Sequence, residues 1–318
     1  MPETLYRGRR ATFIENHLVR LTVLHEGGHI AEIRDLASGV NPLWTPPWDS
    51  IEPSTYDLAK HPEYGNDSES KLLSGIMGHN LCMDIFGPPS PEEAAAGLTV
   101  HGEASVAAWE VRDSGTELTA RACLPEAQLR VERRIKLAGN TAEIVEVVEN
   151  ESATDRPIAW TEHVTLGPPF LEQSGTEIRF PAAKSEVLEA HVYTAHLMDP
   201  ARATAYFVAW SPSSRFVITY VWRRADFPWL GLWEESYGRT GAPWNGRTLT
   251  RGLEFGVSPM PETRRQVIER GSLFGVPAFR WIPARSSVRV RYLAAIGHAG
   301  NMTEALAILT ETETRLGD

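Results

Sequence analysis

Residues Leu129–Leu137, LRVERRIKL in one-letter code, decide the fold class of this chain. Apolar side chains stand at positions 129, 131, 135 and 137, and charged side chains occupy the even-numbered positions between them. A repeat of two over nine residues predicts a β-strand with one face on a hydrophobic core. Arg133 is the exception on the apolar side, so that face is not uniformly apolar.

Similar short runs flank this strand and extend over most of the chain. Turn residues separate neighbouring runs, as at Ser114-Gly115, Pro125-Glu126 and Gly139-Asn140, which is typical of antiparallel hairpins. The predicted strands cover residues 11–15, 18–24, 29–34, 106–111, 117–122, 129–137, 142–150, 158–164, 203–210, 216–222, 229–234, 249–257 and 288–296.

Only two stretches suit an α-helix. Pro261–Arg270 starts with proline and carries mixed charges, and Met302–Leu316 follows Asn301, a residue suited to capping a helix. No part of the sequence alternates strands with helices in the way that a parallel α/β sheet requires. The sequence therefore predicts an all-β protein, a large antiparallel β-sandwich with a few short helices.

Residues 45–98 differ from this strand-rich background. The segment is rich in proline, with acidic and aromatic residues between the prolines. Long irregular connections in compact domains are often functional loops, and this one is placed to cover a pocket. Because strands of similar character lie on both sides of it, we expect one domain over residues 1–318, with 45–98 as an irregular excursion.

The composition is that of a globular protein, with 42% hydrophobic and 23% charged residues among 318. Its 31 Lys and Arg against 41 Asp and Glu give a net charge of −10, which argues against nucleic acid and anionic membranes as partners. Cys82 and Cys123 are too few for a disulfide framework. Without an apolar leader or membrane span, we expect a soluble, cytoplasmic protein, a monomer or homodimer, whose partner is a small molecule.

Three histidines stand in settings that suit a binding site, because polar groups gather there beside glycines and strand ends. His79 follows a glycine and begins the run His79–Asp84, His101 precedes Gly102, and His163 lies at the end of a predicted strand. A histidine at a strand end is often only a hydrogen-bonded structural residue. Each of the three is therefore a candidate rather than an assignment.

Glu254 lies within an apolar strand, where an unpaired carboxylate would be costly to bury. An ion pair with Arg251 or Arg247 would give it a structural role, and a shifted pKa in a pocket would give it a chemical one. Aromatic residues crowd the preceding stretch and suit either a core or a platform for a ligand. They are Trp229, Trp233, Tyr237 and Trp244.

No set of residues predicts a metal, a cofactor or a covalent nucleophile. His101 and Glu103, together with His79 or His163, come nearest to a metal set, but the paired His-x-His that such a set needs is absent. No Gly-x-Ser-x-Gly segment marks a nucleophilic serine. We expect a site that works with side chains alone.

Taken in order, several segments resemble the aldose 1-epimerase (galactose mutarotase) family. His25–Ile33 resembles its early glycine-rich turn and strand, His101-Gly102 its Leu-His-Gly element, and residues 137–150 its hairpin ending in Val-x-Asn. Pro157–Phe170 occupies the place of its Asn-His-x-Tyr-Phe segment, and Arg251–Pro259 resembles its glutamate-bearing strand. The resemblance covers nearly the whole chain and implies a large antiparallel β-sandwich.

The resemblance also implies an activity, the interconversion of the α and β anomers of an aldose or a modified sugar without a cofactor. Glu254 would be the base that takes the proton of the C1 hydroxyl, and His163 the acid that protonates the ring oxygen. Histidine suits this role because it titrates near neutral pH. Acid and base would face each other across a pocket, a few ångströms beyond hydrogen-bond contact, while His101 holds the sugar.

The chain departs from the family pattern in the groups that read the sugar. The stretch ahead of the His-Gly element lacks the family's arginine, and Thr165 and Leu166 replace its Tyr-Phe. The family's hydroxyl-binding aspartate has three unranked candidates here, Asp199, Glu234 and Glu235. We expect a divergent member with an unusual or modified substrate. The predicted substrate contacts are His79, Asp84, His101, Trp233 and Glu234.

Two alternatives remain on the same fold, because one fold hosts many chemistries. A sugar-binding protein would keep the aromatic platform and His101 but turn nothing over. A different carbohydrate enzyme, a lyase or another isomerase, would produce a net chemical change in the sugar.

Overall fold

The structure, a computed structural model, describes residues 4–188 and 193–317. Within them the chain is built mainly of antiparallel strands. In chain order the strands are β1 (Thr4–Tyr6), β2 (Arg9–Glu15), β3 (Val19–Leu24), β4 (Ile30–Asp35), β5 (His79–Asp84), β6 (Glu110–Asp113), β7 (Leu118–Leu124), β8 (Leu129–Ala138), β9 (Thr141–Asn150), β10 (Arg156–Leu166), β11 (Glu177–Arg179), β12 (Ala182–Leu188), β13 (Tyr193–Met198), β14 (Thr204–Ser211), β15 (Phe216–Arg223), β16 (Trp229–Ser236), β17 (Leu249–Gly256), β18 (Ser272–Leu273), β19 (Val276–Pro277), β20 (Arg280–Ile282) and β21 (Ser287–His298).

Two large sheets contain most of these strands. The first has the order β1-β2-β3-β4-β5-β10-β17-β16-β13-β12, with β20 paired to the start of β10. The second has the order β11-β14-β15-β21-β9-β8-β7-β6, and β18 and β19 form a separate hairpin. Neighbouring strands pair antiparallel, as between β10 and β17. The predicted antiparallel all-β fold is confirmed.

Few helices accompany these sheets. They are α1 (Ser70–Leu73), α2 (Pro91–Ala95), α3 (Arg264–Arg270) and α4 (Met302–Gly317), with short 3-10 turns at Pro53–Thr55 and Pro62–Tyr64. Both predicted helices are present. The first of them, α3, begins later than predicted because the Thr263 side chain caps it through a reciprocal contact with Gln266. Helix α4 covers the outer face of the second sheet through Ala305, Leu309 and Leu316.

Two strands of the first sheet follow no sequence pattern. Strand β5 lies inside residues 45–98, so the expected irregular segment contains a strand at the centre of the sheet. All six residues of β5 are buried, and five of six in β13. Alternation disappears where both faces of a strand are covered. The predicted strand 106–111 is wrong over most of its length, because residues 106 and 107 turn back to the Glu103 carbonyl and β6 starts only at Glu110.

The two sheets pack face to face and share one hydrophobic core. From β8 this core receives Leu129, Val131 and Ile135, which are fully buried, as the alternating pattern predicts. Large aromatic side chains from both sheets fill the space between them. They include Trp160, Phe207, Tyr220, Trp222 and Phe255.

Arg133, the exception in the pattern of β8, is fully buried in this core. Its Nε donates to Glu146 Oε1 at 2.5 Å, and its Nη1 donates to the Gly28 carbonyl oxygen at 2.7 Å. Its Nη2 lies 3.5 Å from Glu162 Oε2 of the opposite sheet. An unpaired buried charge would be costly, and these partners offset part of that cost.

Glu162 carries this polar network from the second sheet to the first. It accepts hydrogen bonds from the Tyr292 hydroxyl at 3.0 Å and the Trp160 indole at 2.8 Å, and its Oε2 lies 2.9 Å from His79 Nε2. Burial, with the nearby charge of Glu162, raises the pKa of Glu146 to about 8. Glu146 is therefore mostly protonated at neutral pH.

Within residues 4–188 and 193–317, no helix combines the length and the apolar character needed to cross a bilayer. Cys82 is buried and Cys123 is exposed, and both are free thiols.

We expect Arg133→Met to lower the free energy of unfolding by about 3–5 kcal/mol, because it leaves the Glu162 carboxylate buried without a cation. Urea denaturation at pH 7 measures this loss. Arg134→Met is the matched control, since Arg134 is the next residue on the strand, is 52% exposed and pairs with Glu132 at the surface. It should cost about 1 kcal/mol or less. Equally small losses in both variants would contradict this account of the network.

Candidate active site

Strand β10 supplies the central residue of a polar cluster on the outer face of the first sheet. In its register His163 lies opposite Asn80 of β5 on one side and opposite Glu254 of β17 on the other. Successive residues of a strand point to opposite faces, so His163 points away from the core that Glu162 enters. Directly opposed residues share a face. The register therefore brings His163 and Glu254 side by side.

These two side chains are in contact. His163 Nε2 lies 3.0 Å from Glu254 Oε1, and both residues are almost fully buried. The expected gap of a few ångströms between them is wrong, because neighbouring strands in register hold opposed side chains within reach of each other. The partner of Glu254 is His163 rather than Arg251 or Arg247, and Arg251 pairs with Glu234 instead.

The second ring nitrogen of His163 contacts Thr165 on the same strand. The Nδ1 atom lies 3.0 Å from Thr165 Oγ1. A hydroxyl can donate to a bare ring nitrogen or accept from a protonated one. Thr165 therefore holds the orientation of the ring in both protonation states. In the sequence, Thr165 stands where the family pattern has an aromatic residue. Its spacing of two from His163 places both side chains on one face of the strand.

Two glycines leave the space that the site occupies. A Cβ atom at Gly252 would lie 2.4 Å from Glu254 Oε1 and 3.4 Å from His163 Cε1. A Cβ atom at Gly231, opposite Glu254 on β16, would lie 2.1 Å from the Tyr193 hydroxyl. Tyr193 leans over this gap and donates to the Pro259 carbonyl oxygen at 3.0 Å. Glycine at these two positions leaves room for the Glu254 carboxylate and for Tyr193.

His101 reaches the cluster from a sharp turn. Its φ of 70° is followed by a φ of 78° at Gly102, where a Cβ atom would lie 2.2 Å from the Met83 carbonyl oxygen. Glycine is therefore required after His101. The Nδ1 atom lies 2.7 Å from the Phe86 carbonyl oxygen, which can only accept, so Nδ1 carries the proton. Burial, with the adjacent His163, lowers the pKa of His101 to about 3, which leaves Nε2 as an acceptor.

These residues line a cavity of about 170 Å³. The outer face of the first sheet forms its floor, and parts of residues 44–100 and of the loop between β16 and β17 form its walls. Mostly apolar walls with a few converging polar groups are typical of small-molecule sites. The predicted contacts His101 and Trp233 both line it. The aromatic lining residues are Trp44, Phe86, Tyr193, Trp233 and Trp244.

An arginine that the sequence pattern missed also lines the cavity. Arg239 lies in the loop after β16, and its Nη1 and Nη2 contact Glu69 Oε1 and Oε2 at 3.2 and 2.6 Å. Its guanidinium lies 4.4 Å from the centre of the Trp244 ring, which stacks on Trp44 at 5.9 Å. The expected lack of an arginine holds for the stretch before His101. No sequence signal placed this distant loop over the same cavity.

Of the five predicted substrate contacts, His79, Asp84 and Glu234 lie outside the cavity lining. His79 points into the core, where Glu162 and the Tyr220 hydroxyl bind its two ring nitrogens. Asp84 forms a two-pronged ion pair with Arg264, at 2.8 and 2.6 Å. Both are buried and paired with protein groups. The side chains of His79 and Asn80 point to opposite faces of the sheet, because adjacent residues of a strand alternate in direction. His79 therefore faces the core, whereas Asn80 lies on the face that carries His163.

The three acidic candidates for gripping sugar hydroxyls also lie outside the lining. Glu234, the predicted contact, pairs with Arg251. Glu235 accepts from the backbone nitrogens of Gly238 and Arg239, at 2.5 and 2.9 Å, and so fixes the loop that carries Arg239. Asp199 accepts from the backbone of the turn that follows it. The acidic residues that do line the cavity are Glu254 and Glu69.

The described ranges contain no group of three or more His, Cys, Asp or Glu side chains arranged to hold a metal ion. Glu103, considered with His101 as a metal ligand, instead accepts from the Ala127 backbone nitrogen at 2.8 Å. What the arrangement offers chemically is a histidine and a carboxylate in contact, a neutral histidine and an ion pair, all around one small cavity.

The chain is similar in fold to several solved structures. A candidate aldose 1-epimerase of Klebsiella pneumoniae matches with a TM-score of 0.70 and 16% identity, over 98% of this chain and 85% of that one. Galactose mutarotase-like proteins of Clostridium acetobutylicum and Lactobacillus casei match with TM-scores of 0.64 and 0.62, at 13% and 12% identity. They cover 93% and 90% of this chain, and 98% and 100% of their own length is matched.

No protein-family model and no curated protein matches the sequence. At such low identities the likeness between structures establishes the fold. The galactose mutarotase-like β-sandwich that the resemblance implied is confirmed.

We expect His101 to stay neutral, with the proton on Nδ1, between pH 5 and 8, because its lowered pKa of about 3 lies well below this range. Nitrogen-15 NMR of the imidazole side chains, with His101→Gln to assign the signal, reads the tautomer directly. A titration of the His101 signal near the ordinary histidine pKa of about 6.5 would contradict this geometry.

Proposed function

We propose that this protein is an isomerase, a cofactor-independent aldose 1-epimerase that interconverts the α and β anomers of an aldose or a modified sugar. The observation that carries the proposal is the contact between His163 and Glu254 on the floor of the aromatic-lined cavity. The fold shared with galactose mutarotase-like proteins supports it. A carboxylate and an imidazole are suitable partners for general base and acid catalysis.

The closeness of the two groups suits this reaction. The hydroxyl oxygen at C1 and the ring oxygen are bonded to the same carbon, so the acid and the base must work close together. A sugar that lies over the outer face of β10 and β17 can place both oxygens on the pair. The contact between His163 and Glu254 then opens, and each side chain exchanges it for a hydrogen bond to the sugar.

In the proposed reaction Glu254 takes the proton of the C1 hydroxyl while His163 gives a proton to the ring oxygen. The bond between C1 and the ring oxygen breaks, which yields the open-chain aldehyde. Rotation about the bond from C1 to C2 presents the other face of the aldehyde. The reverse proton transfers close the ring as the other anomer, and the pair regains its original protonation.

Neighbouring groups support these two roles. Thr165 keeps the imidazole oriented whether or not Nδ1 is protonated. His101 offers its neutral Nε2 as an acceptor for a sugar hydroxyl, with its ring centre 5.0 Å from that of His163. Trp233 offers an aromatic face for the apolar side of a pyranose, and its ring centre lies 6.4 Å from that of His163.

We expect the wild-type protein to accelerate anomer exchange of at least one aldose, and His163→Ala and Glu254→Gln each to lose about 10²-fold or more of that rate. Proton NMR of exchange between the anomeric signals, over a panel of free aldoses at constant pH and buffer concentration, measures the rate. The uncatalysed exchange in the same buffer is subtracted.

Two variants of the second sheet serve as matched controls, His298→Ala on β21 and Glu143→Gln on β9. Both remove the same chemical groups away from the cavity and should keep the wild-type rate. A folded wild-type protein that accelerates none of the exchanges would contradict the proposal, as would unchanged rates in both site variants.

A sugar-binding protein without turnover is the second candidate. Its favouring observation is that His163 and Glu254 already satisfy each other at 3.0 Å, so binding must disrupt a formed contact before any proton moves. Saturable binding of an aldose without accelerated exchange would select it over the enzyme.

A further inference from the structure

The ion pair between Glu69 and Arg239 has a built geometry at the cavity wall. Both nitrogens at the tip of Arg239 contact Glu69, the guanidinium stacks on Trp244, and Glu235 holds the Arg239 backbone nitrogen at 2.9 Å. The pair joins Glu69, the residue before α1 within residues 45–98, to the loop between β16 and β17. A guanidinium restrained in this way presents its remaining N–H groups in fixed directions.

The charges along the described part of the lining form two neutralised sets. Arg239 is paired with Glu69, and Glu254 is paired with His163. A carboxylate or phosphate entering this cavity would meet two glutamates, and Arg239 would bind it well only by giving up Glu69. Like charges brought together in a partly enclosed cavity repel each other more than they do in bulk water.

We propose that Glu69 and Arg239 determine the specificity of this site for uncharged sugars. Arg239 donates to sugar hydroxyls from the cavity wall, and Glu69 cancels the charge that would otherwise attract an anionic sugar. Specificity of this kind comes from the repulsive group as much as from the attractive one. The inference rests on the proposed function for its class of ligand, and its test requires binding only.

The test compares each of two aldoses, glucose and galactose, with its uronic acid, which differs by a carboxylate at C6. Quenching of tryptophan fluorescence reports binding, because Trp44, Trp233 and Trp244 line the cavity. Glu69→Gln keeps the shape of the side chain and removes its charge. Glu143→Gln is the matched control, since Glu143 forms a comparable pair with Arg291 at 2.7 Å on the second sheet.

For at least one sugar pair, the wild-type protein and Glu143→Gln should bind the neutral sugar at least tenfold more tightly than the uronate. Glu69→Gln should shift that ratio at least tenfold toward the uronate, and raising the salt concentration should reduce the gain. Arg239→Gln should weaken neutral-sugar binding about tenfold or more, because a charge-assisted donor is lost, and should give no gain for the uronate.

An unchanged ratio in Glu69→Gln would overturn the inference, and so would a wild-type protein that binds the uronates as tightly as the aldoses or binds none of the four. Failure of the proposed function has a different signature. Discrimination with the expected response to Glu69→Gln, but without accelerated anomer exchange, would support the specificity pair and reject the enzyme.

Discussion

The buried charge network around Glu162 is the constraint on which the rest of the structure depends. It joins Arg133 and Glu146 of the second sheet to β10 of the first, in the core between the sheets. The next residue of β10 is His163, which faces the cavity on the other side. A slip of β10 by one residue would expel Glu162 from its partners and bury His163 in the core. The network therefore fixes which face of the sheet carries the site.

The site itself follows from three strands in register and two connections that cover them. Gly252 and Gly231 leave room for the Glu254 carboxylate and for Tyr193, and Gly102 lets the turn place His101 over the same face. Tryptophans from both connections then surround the polar groups and reduce the water around them. In such surroundings a hydrogen bond or a charge acts more strongly than in water. A cavity with few polar groups can thus still be selective.

The sequence predicted strands with one face in water, such as β8, and also the almost entirely buried β10 and β15, but it missed the exposed β12. Strand β8 shows the alternation, and even Arg133 lies on the buried side that its position indicated. Strands β5 and β13 are covered on both faces, so they show no alternation and escape notice. The remaining contacts of the site join residues that are far apart in the sequence, so no local pattern predicts them. The contact of His163 with Glu254 depends on pairing between remote strands, and Arg239 reaches the cavity only because a loop folds over it.

The central claim is that His163 and Glu254 act as one catalytic unit. A double-mutant cycle on the enzyme-dependent rate of anomer exchange tests this most directly, with His163→Ala, Glu254→Gln and the combined variant. Residues that act as a unit give strongly non-additive losses. The account predicts a combined variant that is about as slow as either single variant. Losses that multiply, as for independent sites, would contradict it.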